Sequence, residues 1–353
     1  MSQRKSEVHF RGMNVLLLGI SMLVAFLIGE GVLRAFGYYG AKGTKVQNLI
    51  LVEDPVLDFR HVKNSSWVQN NIHFNINKHG MRDYDYNYEK DENTFRILIL
   101  GDSVSFGYGI NLNEIYGKQL EGKLRKYSDD DLNFEVIMLS LSGINTEQEV
   151  RLLESEGLRY DPDLIVFGYV LNDPENGTSL RAQLSRARSM SLFHRVKMLA
   201  QKSSAINLFY KMSQKMYWKG SLLMGKGEVA DYVKSDYFSS LHNGPQEWGR
   251  VVAAFEELGE VRRRRQIPVV IMIFPVLLDL EKYQWEHIHH KVTNLALQNG
   301  FRVLDLLGQF RQYKAHELQI DNGDHVHPNK VGHKIAGDTL YEFLYQQKLL
   351  PRH

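Results

Sequence analysis

Five short apolar runs, each too brief for a helix, set the architecture that this chain can adopt. The first, Arg96 to Leu100 (RILIL), is stopped by Gly101. The next two open the stretches VIMLSLSG, from Val136, and LIVFGYVLND, from Leu164; Ile267 to Phe274 and Phe301 to Leu306 complete the set. Their branched and apolar residues run on without the alternation of a half-exposed strand, which marks strands covered on both faces. Between them the apolar spacing becomes helical. Asn111 to Tyr127 places Ile115, Leu120 and Leu124 on one face, and Thr146 to Leu158 does the same with Val150, Leu153 and Leu158. Strands alternating with helices predict an α/β fold: a three-layer α/β/α sandwich on a five-stranded parallel sheet. The patterns do not fix the strand order.

Beyond the strand ends the sequence is chemically specific. Gly101-Asp102-Ser103 makes a turn, and Ser103 stands where a helix would begin, at the carboxyl edge of the sheet where open α/β folds bind ligands. Its N–H is one of the orphan donors of a helix N-terminus and is suited to an oxyanion. A strand running into Gly-Asp-Ser also arises as a plain capping turn. Three further segments add Gly143, then Asn172-Asp173, then DHVHP with Asp324 and His327. A hydroxyl nucleophile, a glycine N–H, an amide and a histidine three residues after a carboxylate are the parts that acyl transfer requires. Each has a structural counterpart: Asn172 as a turn residue, Gly143 as a strand terminus, Asp324 as an Asx turn before the last helix. All four together fit that reading poorly. Asp321 and His325 stand close enough to be substitutes for Asp324 and His327, and Asp173 is expected to fix its loop. A Gly-x-Ser-x-Gly nucleophile elbow is ruled out, because Ser105 occupies the second glycine's place.

On these residues the chain resembles the SGNH (GDSL-type) hydrolases. Gly101-Asp102-Ser103, Gly143, Gly168-x-x-x-Asn172-Asp173 and Asp324-x-x-His327 look like that family's four blocks, across residues 95–345. The resemblance implies a flavodoxin-like strand order and no cofactor or metal. Ser103 would attack an ester, His327 would act as general base and acid, and Asp324 would orient the imidazole. The oxyanion would meet the Ser103 N–H, the Gly143 N–H and the Asn172 amide. The implied activity is that of a membrane-anchored serine esterase on O-acyl, above all O-acetyl, groups of a carbohydrate or surface polysaccharide. An O-acetyltransferase would use the same triad, and a non-catalytic glycan-binding protein on a hydrolase scaffold is the reading from another class. Asn77-x-x-Gly80-x-Arg82-Asp83 is similar to a motif of membrane-anchored members; its bland reading is a lead-in covering an edge strand.

Residues 12–29 carry no charge, and 18 residues of helix cover about 27 Å, close to a hydrocarbon core of about 30 Å. Residues 13–36 are therefore read as a signal-anchor helix after a short tail at 1–12, with Glu30 interrupting the run and Arg34 and Tyr38-Tyr39 as interfacial anchors. No A-x-A-like site favours cleavage. Three basic residues on either side leave the orientation undecided; an extracytoplasmic domain, on a bacterial inner membrane facing the periplasm or exterior, rests on the resemblance alone. Residues 37–94 read as a turn-rich lead-in, with a turn or hairpin at Asn77 to Asp83. Within the domain, 178–250 reads as a basic helical insertion: Thr178 to Gly227 holds ten Lys and Arg and no acid. That pattern suits an anionic membrane surface or acidic glycan, and the membrane anchor argues against nucleic acid. His287, His289 and His290 lack the carboxylate pattern of a metal site, and Arg262 to Arg265 reads as a solvated helix end. With no cysteine in 353 residues, disulfides and thiol catalysis are excluded.

Overall fold

The computed structural model describes residues 2–35, 51–69, 71–127, 132–176, 203–206, 208–209, 212–213, 236–321 and 323–351. After helix α1 (Ser2–Ala35) come two antiparallel hairpins, β1 (Leu51–Asp54) with β2 (Asp58–His61) and β3 (Ser66–Gln69) with β4 (Ile72–Asn75). The core then alternates: β5 (Thr94–Gly101), α2 (Ser103–Phe106), α3 (Tyr116–Tyr127), β6 (Asn133–Ser140), α4 (Thr146–Ser155) and β7 (Leu164–Val170). It continues with α5 (Tyr237–Asn243), α6 (Pro245–Arg265), β8 (Val269–Phe274), α7 (Glu286–Gln298), β9 (Arg302–Asp305) and the closing helix α8 (Lys330–Gln346).

The five core strands are parallel, in the order β6-β5-β7-β8-β9. This is the flavodoxin-like 2-1-3-4-5 arrangement, which periodicity alone left open. Right-handed crossovers dictate where the helices go. The step from β5 to β6 runs opposite to the later steps, so α3 lies on one face with α8, while α4, α6 and α7 share the other. Every residue of β7 and β8 is buried, as their unbroken apolar sequences require.

Local signals set the helix starts. Asn145 caps α4 in a reciprocal box: its Oδ1 accepts from the Gln148 N–H (3.0 Å) and Gln148 Oε1 accepts from the Asn145 N–H (3.1 Å). Asn329 caps α8 by accepting from the Val331 and Gly332 N–H groups. The helix expected from Asn111 is shorter. A single turn at Leu112–Glu114 ends on Ile115 in an extended conformation, so α3 starts at Tyr116. At the N-terminus the difference is opposite. The chain is helical from Ser2, because the polar residues before the apolar run are helix formers without a proline break. Over Leu17–Ala35 it is long and apolar enough to cross a membrane. The ten basic residues of the insertion, and Tyr38-Tyr39, lie outside the described residues.

Candidate active site

Strand register brings the three sequence blocks to one edge. Gly101 of β5 pairs with Ser140 of β6 on one side and Gly168 of β7 on the other, so β5 and β6 end level while β7 runs on to Val170. Ser103, Gly143 and Asn172 leave that edge from adjacent strands. The packing there is close: a Cβ on Gly101 would lie 2.1 Å from Ser105 Oγ, and one on Gly168 would lie 2.7 Å from it. Ser105 is fully buried and bonds Tyr116 Oη (2.8 Å), which explains why a serine stands where an elbow glycine would be.

Ser103 opens α2 behind Asp102, whose carboxylate caps the turn by accepting from the Val104 N–H (2.9 Å). Ser103 Oγ lies 2.9 Å from His327 Nε2 and 3.2 Å from Asp102 Oδ2. On the far side of the imidazole, Nδ1 meets Asp324 Oδ2 at 2.8 Å. Asp324 Oδ1 also accepts from the Val326 and His327 N–H groups. Burial opposes the charge on Asp324, but these bonds with His327 outweigh it and hold the carboxyl below its usual range. Of the substitutes, His325 has its Nδ1 3.5 Å from Gln319 Nε2; in the backbone its carbonyl accepts from the Leu277 N–H (2.7 Å) and the Asp321 carbonyl accepts from the Asp324 N–H (3.0 Å). The loop is fastened at both ends, by the Ile320 N–H to the His327 carbonyl and the Asn329 N–H to the Leu318 carbonyl. The Tyr108 ring packs on His327 at a centroid distance of 4.8 Å.

Gly143 is half-buried at φ +88°, a conformation that favours glycine. Asn172 is also half-buried, and its Oδ1 is enclosed with no partner among the described residues, so this amide oxygen is not committed to an internal bond. Asp173 fixes the turn, its Oδ2 accepting from the Val170 N–H (3.0 Å).

Two features of the site were missed in the sequence. Glu149 lies wholly buried on α4, with both oxygens unpartnered among the described residues. Burial, followed by repulsion from Asp173 and Asp102, pushes its carboxyl well above the ordinary range, and Asp102 and Asp173 are raised by burial too. The available signal was a carboxylate on the apolar stripe of Thr146, Val150 and Leu153. The second is Arg82, 1% exposed, which donates to the carbonyls of Phe106 (2.9 Å), Gly107 (2.6 Å) and Ile110 (2.6 Å) and lies 4.1 Å above the Phe74 ring. It ties the lead-in to the end of the helix that Ser103 opens, and burial pushes it down to about 10. Next to it, Asp83 pairs with Lys118 (2.6 Å) and accepts from the Met138 N–H of β6 (2.7 Å). The motif from Asn77 to Asp83 is thus a turn that covers an edge strand, as its bland reading had it. In the histidine cluster, His289 is occupied by Tyr283 and Asp305 and His287 by Ser239.

Residues 99–335 match the GDSL-like lipase/acylhydrolase family. Among solved structures, the chain is similar to TesA (12% identity, 72% of this chain and 99% of that one, TM-score 0.44). It is also similar to the acetyl xylan esterase AlAXEase (14%, 71% and 100%, 0.43) and to the lipase/acylhydrolase from Enterococcus faecalis (16%, 73% and 99%, 0.42). No curated protein matches it at a significant level.

Proposed function

Because the chain belongs to the GDSL-like lipase/acylhydrolase family over residues 99–335, we propose that Ser103, His327 and Asp324 form its catalytic triad and act on an O-acyl ester. The observation that carries this reading is the 2.9 Å contact of Ser103 Oγ with His327 Nε2, continued at 2.8 Å from Nδ1 to Asp324. With Nδ1–H donated to the carboxylate, Nε2 is left as an acceptor for the serine proton. Oγ attacks the ester carbonyl as that proton moves to Nε2. The imidazolium is stabilised by Asp324 and returns the proton to the leaving alkoxide, releasing an alcohol and leaving an acyl-serine. Water, or a sugar hydroxyl, then enters by the reverse sequence.

In this proposal the developing oxyanion lies beyond the carboxyl ends of β5, β6 and β7. Its donors in this proposal are the N–H groups of Ser103 and Gly143 and the side-chain amide of Asn172, each worth about 2.7–4 kcal/mol in comparable sites. The substrate class is an O-acetylated carbohydrate, which is what the sequence resemblance implies. Helix α1 is the membrane anchor, supported by its length and apolar composition, and the catalytic domain faces away from the cytoplasm.

The test is turnover of p-nitrophenyl acetate by the full chain, followed by product analysis on acetylated glycans. Ser103→Ala and His327→Ala should abolish turnover and Asp324→Asn should lower it less. Free acetate as the product identifies a hydrolase, and acetyl on a sugar acceptor identifies a transferase. Undiminished turnover by Ser103→Ala would rule out the serine mechanism.

A further inference from the structure

Glu30 is the one acid in the apolar part of α1, and it is not left to lipid. Its carboxylate accepts from Ser203 Oγ (2.8 Å), the Ser204 N–H (2.8 Å), the Ala205 N–H (2.9 Å) and Arg34 Nε (2.8 Å). Ser203 Oγ also accepts from the Ile206 N–H (3.3 Å), so the turn at 204–206 is capped from both sides. The contact is confined to one patch of the helix: Gly29, Glu30 and Leu33 are half-covered, while the residues from Leu17 to Ile28 are exposed.

Geometry sets the depth of this patch. Leu17–Ala35 is about 28 Å long at 1.5 Å per residue, and Glu30 lies roughly 8 Å before its end. In a hydrocarbon core of about 30 Å, that places Glu30 roughly 8 Å below one face of the membrane. A bare carboxylate there is costly, so the donors that meet it are held firmly. The same segment carries two large apolar side chains that are mostly exposed, Phe209 (74%) and Met212 (56%). Exposure of one apolar residue means little by itself. These two come within a few residues of a contact fixed at membrane depth.

Resting on the reading of α1 as a membrane span, we infer that Glu30 latches residues 203–206 to the anchor helix and so places Phe209 and Met212 in the interfacial layer of the bilayer. The partner is the lipid surface itself. The anchor then does more than tether the domain. It also holds residues 203–206 of the chain between β7 and α5.

The chain has no cysteine, so single cysteines can carry a nitroxide without background. The full chain in phosphatidylcholine–phosphatidylglycerol vesicles is labelled at Leu23→Cys, Phe209→Cys, Met212→Cys and, as an aqueous control, Tyr313→Cys. Collision with oxygen is compared with collision with a water-soluble nickel chelate. The Leu23 label should favour oxygen strongly, and the Phe209 and Met212 labels should sit about 5–10 Å into the boundary layer. Glu30→Leu, and Ser204→Pro from the other side of the contact, should return the Phe209 label to the aqueous value of Tyr313. The Leu23 label and p-nitrophenyl acetate turnover should stay unchanged. A Phe209 label that matches Tyr313 in the unaltered protein overturns the inference alone. So does one shielded from both reagents, which would place it against protein or a second copy, or one indifferent to both latch variants. A water-accessible Leu23 label instead removes the spanning reading of α1, and the inference falls with it.

Discussion

At the residue scale, the candidate groups around Ser103 stood out because Ser103, Gly143 and Asn172 come just after strand ends, where short motifs survive as sequence. The choice among Asp321, Asp324, His325 and His327 was not legible. Only the folded loop shows that Asp324 meets the His327 Nδ1 while the His325 imidazole faces Gln319. Glu149 was hidden for a different reason: a carboxylate on an apolar stripe shows its burial only when neighbouring strands close over it. Burial, and then repulsion from Asp173 and Asp102, raises its pKa. In the unfolded chain it ionises near about 4.3, whereas the folded chain keeps the proton to higher pH. The folded state therefore holds more protons over that interval. The resulting stability is present below the unfolded value and is lost as pH rises towards the folded one, by up to about 1.4 kcal/mol per pH unit. Glu149→Gln keeps the shape and removes the titration. Its Tm should fall less than the parent's between about pH 5 and pH 8; parallel Tm profiles would contradict the assignment.

At the element scale, strands were read well and helix starts less well. Continuous apolar runs can only be strands buried on both faces, and β7 and β8 are so. The start of α3 is set by the turn at Leu112–Glu114, which ends on extended Ile115, and the Gly107–Ile110 turn before it is held by Arg82 through its carbonyls, a reach that no local pattern announces. Arg82→Leu leaves these buried carbonyls without their donor. At about 1–3 kcal/mol for each unsatisfied group, partly relieved by relaxation, the denaturant midpoint should drop clearly. Turnover of p-nitrophenyl acetate at a temperature where the variant remains folded should drop as well, since α2 carries Ser103. A variant with lowered stability but parental kcat would show that the clamp serves the fold and not the nucleophile.

At the scale of the whole molecule, the three-layer sandwich could be read from alternation, but its strand order could not: periodicity is blind to which strands neighbour one another, and the order came from resemblance. That the N-terminal helix is long and apolar enough to cross a membrane was plain from composition, while the sequence assigned no side, because basic residues flank the apolar run evenly. A chain starting at residue 40 keeps β5 to α8 and should be soluble and active on p-nitrophenyl acetate; insolubility or loss of turnover would mean that α1 supports the fold of the domain. The central claim is that Ser103 is a nucleophile activated by His327. It is tested most directly by treating the full chain in membranes with a fluorophosphonate and locating the adduct by mass spectrometry. A single adduct on Ser103, absent in His327→Ala, is the expected result. A folded protein that takes no adduct, or carries it on another residue, would contradict the account.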